Sequence, residues 1–293
     1  MRQMVAAFFL CGVLAVAAHA REQTATRLVS LAPSLTELVF ALDAGSLLVG
    51  VTEHCNYPPE ARRVAKIGLY QTPSLEAVLA LRPDWILALE EHASLFPAFE
   101  ALGLKYRVFD HRSLDGLLAS FVAIGELCGK AEKAAQLHDE LFRALLPAAK
   151  IPGCSMLLIF GRTYGRGGVS DVYCAGKDGM YNRIIESVGC GNAYTGELAY
   201  PVLSAEGIAA LNPGLVVELL PETPAAGTMG SELADEELLR DWRQLGKLPA
   251  VRDGRVHILR GDFSFVPGTR LLLLKNALAE FVGEIGPQAG ETQ

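Results

Sequence analysis

The sequence predicts an α/β protein of two Rossmann-like lobes with parallel sheets, joined by a single long α-helix. A repeat is the first reason. S-L-E-A-V-L-A-L-R-P-D-W-I-L-A-L from Ser74 returns, 130 residues later, as S-A-E-G-I-A-A-L-N-P-G-L-V-V-E-L from Ser204. Near-continuous apolar runs alternating with helical stretches are the second, because strands covered on both faces by helices read that way. The third is an amphipathic helix lying midway between the two copies, the natural connector. In each copy the serine caps a short helix, Glu76 or Glu206 sits in its first turn, and Pro83 or Pro213 stops it before an apolar strand. Tyr70 and Tyr200 each precede their glutamate by six residues. Like lobes with matched aromatics predict a cleft between them.

Taken in order, residues 1–20 read as a secretory signal: Arg2 is a basic start, residues 5–18 are apolar, and Ala18-His19-Ala20 fits cleavage after Ala20. A lipid-anchored alternative would use Cys11, but Phe9 and Leu10 are large for the residues before a lipidated cysteine. Residues 27–31 form a strand, and a helix follows through Leu42 with Glu37 in its first turn. Further strands fall at 47–51, 85–89 and 106–109, separated by helical or turn segments at 58–63 and 96–102. Ser113 caps a helix that buries Leu114, Leu117, Leu118, Phe121 and Leu127 and closes at Gly129. The connector follows, with Ala134, Leu137, Leu141 and Leu145 on one stripe and Pro147 at its end. After Pro152-Gly153 the pattern restarts: a strand at 156–160, a glycine-rich loop, a helix at 180–188, the second copy, a strand at 255–259 and a helix from Leu271. The resulting limits are a signal peptide at 1–20, an N-terminal lobe at 21–129, a linking helix at 130–150, a C-terminal lobe at 151–286 and a disordered tail at 287–293.

Composition excludes several classes. The chain of 293 residues is 51% hydrophobic, ample for real cores. Beyond the signal, 25 basic residues face 33 acidic ones, which disfavours nucleic acid or anionic lipid as a partner. No later apolar run reaches the roughly twenty residues a membrane helix needs. Cys55, Cys128, Cys154, Cys174 and Cys190 lie beyond the signal without C-x-x-C or zinc-type spacing, so at least one thiol is left over. Cys55 reads as a packed thiol, and Cys174 with Cys190 as one pairing open to an exported protein.

Glu76 and Glu206 are the sharpest candidates. A carboxylate in a first turn offsets the helix macrodipole by about 0.3–1 kcal/mol, which explains either residue alone. Their shared offset, kept while Leu75/Ala205, Ala77/Gly207 and Arg82/Asn212 diverge, points instead to a paired role, and exposed carboxylates suit arginine pockets on a partner.

The runs R-L-V-S-L-A-P-S-L-T-E-L-V-F-A-L, V-G-V-T-E-H-C-N-Y-P-P-E-A and S-L-E-A-V-L-A-L-R-P-D resemble the periplasmic substrate-binding proteins that serve cobalamin, iron-siderophore or haem ABC importers. The cobalamin-binding branch is the nearest match, and the likeness continues through A-Y-P-V-L-S-A-E to P-G-T-R. The resemblance implies two α/β lobes joined by one rigid helix, ligand between them, and a glutamate on each lobe, here Glu76 and Glu206, docking into arginines of the permease. Carried over by motif, the ligand wall comprises Ser34, His54, Tyr70, Tyr200, Asp262 and Phe263. Arg162 and Tyr164 in the loop Gly161-Arg162-Thr163-Tyr164-Gly165-Arg166-Gly167-Gly168 join it, with Arg166 beside them. For the tyrosines, packing of an amphipathic ring at a lobe edge is the plain alternative. His54 is open to cleft contact, metal ligation or a turn on the surface.

That loop lacks G-x-G-x-x-G spacing and the ending of a nucleotide loop, and neither G-x-S-x-G nor H-E-x-x-H occurs. The expectation is therefore a monomeric carrier without catalytic residues, resident metal or cofactor. It captures a corrinoid or iron chelate and passes it to an ABC importer's permease and ATPase. The rival is an exported enzyme binding an anionic substrate at the loop near Arg162.

Overall fold

A computed structural model describes residues 24–177, 179–222 and 230–285. The expected signal peptide and the tail at 287–293 lie outside the described residues. The first lobe runs β1 (Leu28–Ser30), α1 (Pro33–Ala41), β2 (Leu48–Val51), α2 (Leu75–Leu81), β3 (Trp85–Leu89), α3 (Phe96–Ala101), β4 (Tyr106–Phe109) and α4 (Leu114–Leu127). Its four strands are all parallel, in the order β2-β1-β3-β4. Leu28, Val29, Ile86, Leu87 and Ala88 are wholly buried, as strands covered on both faces require.

The connecting helix is α5 (Ala131–Ala144), and the chain from 145 to 154 is irregular, with Leu145 fully buried. At 14 residues α5 is about 21 Å long. It lies close against α4, because a Cβ at Gly125 would stand 2.3 Å from the Ala134 Cβ.

The second lobe comprises β5 (Ser155–Thr163), β6 (Ser170–Cys174), α6 (Met180–Ser187), β7 (Gly191–Asn192), β8 (Val202–Leu203), α7 (Ala205–Leu211), β9 (Leu215–Leu220), α8 (Asp235–Arg243), α9 (Pro249–Arg252), β10 (Val256–Arg260) and α10 (Leu271–Gly283). Its sheet, ordered β10-β9-β5-β6-β8 with β7 on β5, departs from the parallel expectation. Strands β10, β9 and β5 are parallel, but β6 returns antiparallel to β5, and β8 is antiparallel to β6. The glycine-rich loop is the cause. Gly165 at φ 76° and Gly167 at φ 70° take left-handed backbone and turn β5 back on itself as a hairpin rather than feeding a crossover helix.

The disulfide also differs from expectation. Cys154 bonds Cys190, stapling the start of β5 to the end of the α6 turn, whereas Cys174 is a buried free thiol on β6 with Cys55 and Cys128 free elsewhere. The pairing is set by the sheet, because β5 and β7 run side by side as Ser155 opposite Gly191 and bring residues 154 and 190 together.

The repeat is reproduced in detail. Ser74 Oγ accepts from Ala77 N and Ser204 Oγ from Gly207 N, each at 3.2 Å, and both helices end on a left-handed residue, Arg82 or Asn212.

One buried apolar cluster runs through both lobes, from Leu28, Leu35 and Phe121 to Met156, Ile184 and Leu278. Above it, Arg270 at the head of α10 makes a two-pronged charge pair with Glu37 of α1. Arg270 Nε donates to Glu37 Oε2 at 2.7 Å, and Nη2 donates to Oε1. The guanidinium also lies over the Tyr57 ring, 4.1 Å from its centroid. Burial pushes the Glu37 carboxyl above the usual carboxylate range, opposed by the Arg270 hydrogen bonds and charge and reinforced by Asp262. Arg270→Ala is expected to destabilise the protein by about 3–5 kcal/mol at neutral pH, because an unpaired buried carboxylate remains. A carboxyl held high in the folded state favours its protonated form, so this deficit shrinks as pH falls toward 5. Urea melts of both proteins at the two pH values test it, and an equal deficit at both would overturn the explanation.

Candidate functional site

The parallel strands of both lobes deliver their C-terminal ends to one cleft, the place where open α/β sheets accept ligands. Ala32, Pro33 and Ser34 follow β1, Glu91 follows β3, and His111 and Arg112 follow β4. Opposite them Phe160 to Tyr164 end β5, Leu220 and Pro221 end β9, and Phe265 to Pro267 follow β10. The cleft has a larger chamber of ≈ 950 Å³ toward the second lobe and a smaller one of ≈ 400 Å³ against the first. Glu91, His111, Phe265 and Pro267 border both chambers.

Aromatic rings dominate the larger chamber. Phe160 is pinned edge-on between Tyr181 at 4.5 Å and Tyr200 at 5.7 Å, and the Tyr181 hydroxyl donates to Ser264 O at 2.8 Å. Across the cleft, Tyr70 packs on His92 with centroids 4.6 Å apart. His92 is fixed at both nitrogens: Leu89 N donates to Nδ1 and Nε2 faces Tyr70 O, each at 3.1 Å, so the Nε2 proton is given to that carbonyl. Burial, with the Glu91 charge adding, pushes the Tyr70 phenol up to about 12, so this ring stays neutral.

Arg162 sits otherwise than the motif implied. It borders the larger chamber, yet its side chain has no exposure and its guanidinium is turned into the second lobe. Nε donates to Glu218 Oε1 at 3.0 Å and Nη1 to Asp241 Oδ2 at 2.8 Å. Tyr164 donates to the same Glu218 oxygen at 2.9 Å, and Trp242 Nε1 to its other oxygen at 2.7 Å. Glu218, fully buried in the middle of β9, thus gathers β5 and α8 around itself. A carboxylate in that position needs these donors, since each one lost leaves a desolvated charge.

Of the other expected wall residues, Ser34, His54 and Tyr70 border the smaller chamber, and Tyr164 and Tyr200 the larger. Asp262 and Phe263 border neither. Asp262 Oδ1 accepts from Glu222 N at 3.0 Å and Phe263 packs against the core, while Phe265 and Pro267 just beyond them face the cleft. Phe160, Tyr181, Glu91 and His111 went unread in the sequence. Glu91 and His111 stand just after strands 85–89 and 106–109, and that placement was the available signal. Glu76 and Glu206 are exposed in the first turns of α2 and α7. Hydrogen bonds from its own backbone N–H and from Ser204 hold the Glu206 carboxyl below the usual range, so it is charged at neutral pH.

His111 is 6% exposed, and its Nδ1 lies 2.8 Å from Ser34 Oγ. Burial pushes the imidazole down to about 4 against the pull of Asp110, so the ring is neutral. No group of three His, Cys, Asp or Glu side chains among the described residues could cage a metal, and no described helix is long and apolar enough to cross a membrane.

Residues 28–262 match the family model described as "Periplasmic binding protein". The chain belongs to the periplasmic binding protein family. Among curated members, it is 28% identical over 265 residues to an uncharacterized ABC transporter substrate-binding lipoprotein of Bacillus subtilis, covering 87% of this chain and 79% of that one. It is 25% identical over 265 residues to a vitamin B12-binding protein of Salmonella choleraesuis, covering 89% and 91%. A periplasmic heme-binding protein of Vibrio cholerae shares the fold at a TM-score of 0.71 and 19% identity, covering 88% and 98%.

In this periplasmic binding protein, Arg162→Ala is expected to lower stability by about 3–5 kcal/mol by leaving the buried Glu218 carboxylate without its counter-charge. Urea denaturation measures this directly. A variant of unchanged stability would show that the guanidinium is not the framework of the second lobe.

Proposed function

We propose that this protein is the exported substrate-binding component of an ABC importer, capturing a corrinoid or iron-chelate ligand between its lobes and handing it to the permease and its ATPase. It works as a monomer in the periplasm, after the signal is cleaved behind Ala20. The observation that carries this reading is a single cleft whose aromatic walls come from both lobes, with Tyr70 on one side and Phe160, Tyr181 and Tyr200 on the other. Opposed rings suit a broad, flat ligand, offering large contact at little entropic cost. Relatives named for vitamin B12 and heme supply two such macrocycles.

Glu76 and Glu206 are the docking pair in this proposal. Each is exposed and begins a helix six residues after a tyrosine of the cleft wall, so cargo and contact sites are linked by the same short segments. The N-terminal lobe at 21–129, the linking segment at 130–150 and the C-terminal lobe at 151–286 are the working units. His54, Ser34 and Tyr164 retain their proposed place around the ligand, whereas Arg162, Asp262 and Phe263 act only from behind the wall. The enzyme alternative draws no support from the loop, because Arg162 is already bonded to Glu218 and Asp241.

Two measurements test the proposal. Titrating the purified protein with cyanocobalamin, hemin or a ferric siderophore is expected to quench tryptophan and tyrosine fluorescence saturably for one of them. Tyr70→Ala or Tyr200→Ala should weaken that binding about tenfold, the equivalent of about 1.4 kcal/mol. No saturable binding of any of the three would reject the ligand class. Separately, the Glu76→Lys, Glu206→Lys double variant should bind ligand as the wild type does but fail to support uptake through the permease. Normal uptake would reject the docking role.

A further inference from the structure

His111 is a polar group at odds with its surroundings on the wall of the cleft. It is more than nine-tenths buried, it borders both chambers of the cleft, and its Nε2, itself shielded from solvent, has no hydrogen-bond partner among the described residues. Buried donors and acceptors are normally satisfied, so an orphan on a cleft wall marks a place where something else completes the bond. Among the described residues, the hydrogen-bond partner of the Ser34 hydroxyl is His111 Nδ1 at 2.8 Å. Were Nδ1 the donor, both the serine proton and the Nε2 lone pair would go unmet among the described residues, whereas a serine proton given to Nδ1 leaves one group unmet. That assignment leaves the imidazole proton on Nε2, as a donor without an acceptor.

The charges nearby select the kind of acceptor. Arg112 is engaged with Glu90 and Asp110, and Arg162 with Glu218 and Asp241. Glu91, an exposed carboxylate, borders the same two chambers as His111. A carboxylate brought to Nε2 would meet a wall that carries Glu91 and no free cation among these side chains. A neutral carbonyl oxygen takes the same hydrogen bond without that repulsion.

We propose that His111 is a specificity-determining residue whose Nε2–H donates to the uncharged carbonyl oxygen of an amide substituent on the ligand, with Ser34 fixing the tautomer that makes it a donor. This rests on the cleft being the ligand site, as proposed above, and it favours an amide-fringed macrocycle over one fringed by carboxylates.

Cyanocobalamin, which carries peripheral amides, and hemin, which carries carboxylates, are the probes. The wild type is expected to bind cyanocobalamin more tightly than hemin. His111→Phe, which keeps the ring and removes the donor, should lose about tenfold in cyanocobalamin affinity. His111→Gln, which places an N–H near the position of Nε2, should stay within about threefold of the wild type. His111→Leu repeats the donor-free test if the phenylalanine variant does not fold, and circular dichroism identifies the folded proteins.

Unchanged cyanocobalamin affinity in a folded donor-free variant would overturn the proposal. So would equal losses in the glutamine and phenylalanine variants, or a shift of the bound ligand's absorption spectrum on substitution, which would mark metal ligation by the ring. If wild type binds hemin but not cyanocobalamin, the amide assignment fails while the carrier function stands. If it binds only a ferric siderophore, the amide-macrocycle assignment likewise fails while the carrier function stands; if it binds none of the three, the carrier reading fails and this inference with it.

Discussion

The charge pair between Glu37 and Arg270 is the constraint that turns two separate sheets into one cleft. Its partners come from α1 and α10, at opposite ends of the chain, and both are largely buried with two hydrogen bonds between them. A buried carboxylate and guanidinium are costly to separate, because each would then stand desolvated and alone. The shared apolar cluster adds attraction, but it is non-directional and accepts small slides between lobes. A two-pronged pair does not, so it fixes the facing angle of the walls. Tyr57 over the guanidinium closes the remaining side.

Given that register, the position of the site follows from strand direction. Parallel strands release their C-terminal ends on one edge, and each loop there adds a side chain to the cleft wall. The antiparallel return of β6 modifies this in the second lobe. Because β5 continues into the hairpin, its last residues, from Phe160 to Tyr164, form a long wall instead of turning at once into a helix. Tyr173 from β6 joins the same wall. The larger chamber therefore belongs mainly to the lobe with the mixed sheet.

Much of this was legible in the sequence where the cause is local. Serine caps, first-turn glutamates and the stops before Pro83 and Pro213 are decided within one turn, and α2 and α7 match them residue for residue. The cleft position of Tyr70 and Tyr200 was legible for the same reason, since each is tied to its repeat. What depended on distant partners was not legible. Cys174 and Cys190 are nearer in sequence than Cys154 and Cys190, but the pairing of β5 with β7 decides between them. The glycines of the hairpin read as a loop without a direction, so β6 and β8 were missed. The segment D-E-E-L-L-R-D-W-R is too polar to stand out as a core element, although its buried Leu238 and Trp242 make α8 a lid on Glu218. In the sequence Arg162 looks like a cleft cation, because the buried acid on β9, lying within an apolar run, gives no hint of its donors.

Arg162 and His111 show why polarity in a loop cannot by itself distinguish framework from site. Arg162 near the end of β5 and His111 just after β4 both border the cleft, and both are almost completely buried. Burial is tolerable only if hydrogen bonds replace those lost to water. Around Arg162 the replacement is thorough: two carboxylates meet the guanidinium, with Tyr164 and Trp242 completing Glu218. Around His111 it is half made, with Nδ1 served by Ser34 and Nε2 unserved among the described residues. Folding alone therefore accounts for Arg162, because removing it would leave its partners unsatisfied. It does not account for His111, because an apolar ring there would remove an unsatisfied atom and release only the Ser34 hydroxyl. A group retained at a cost to folding, on the wall of the one cleft both lobes build, has its compensation in what the cleft receives.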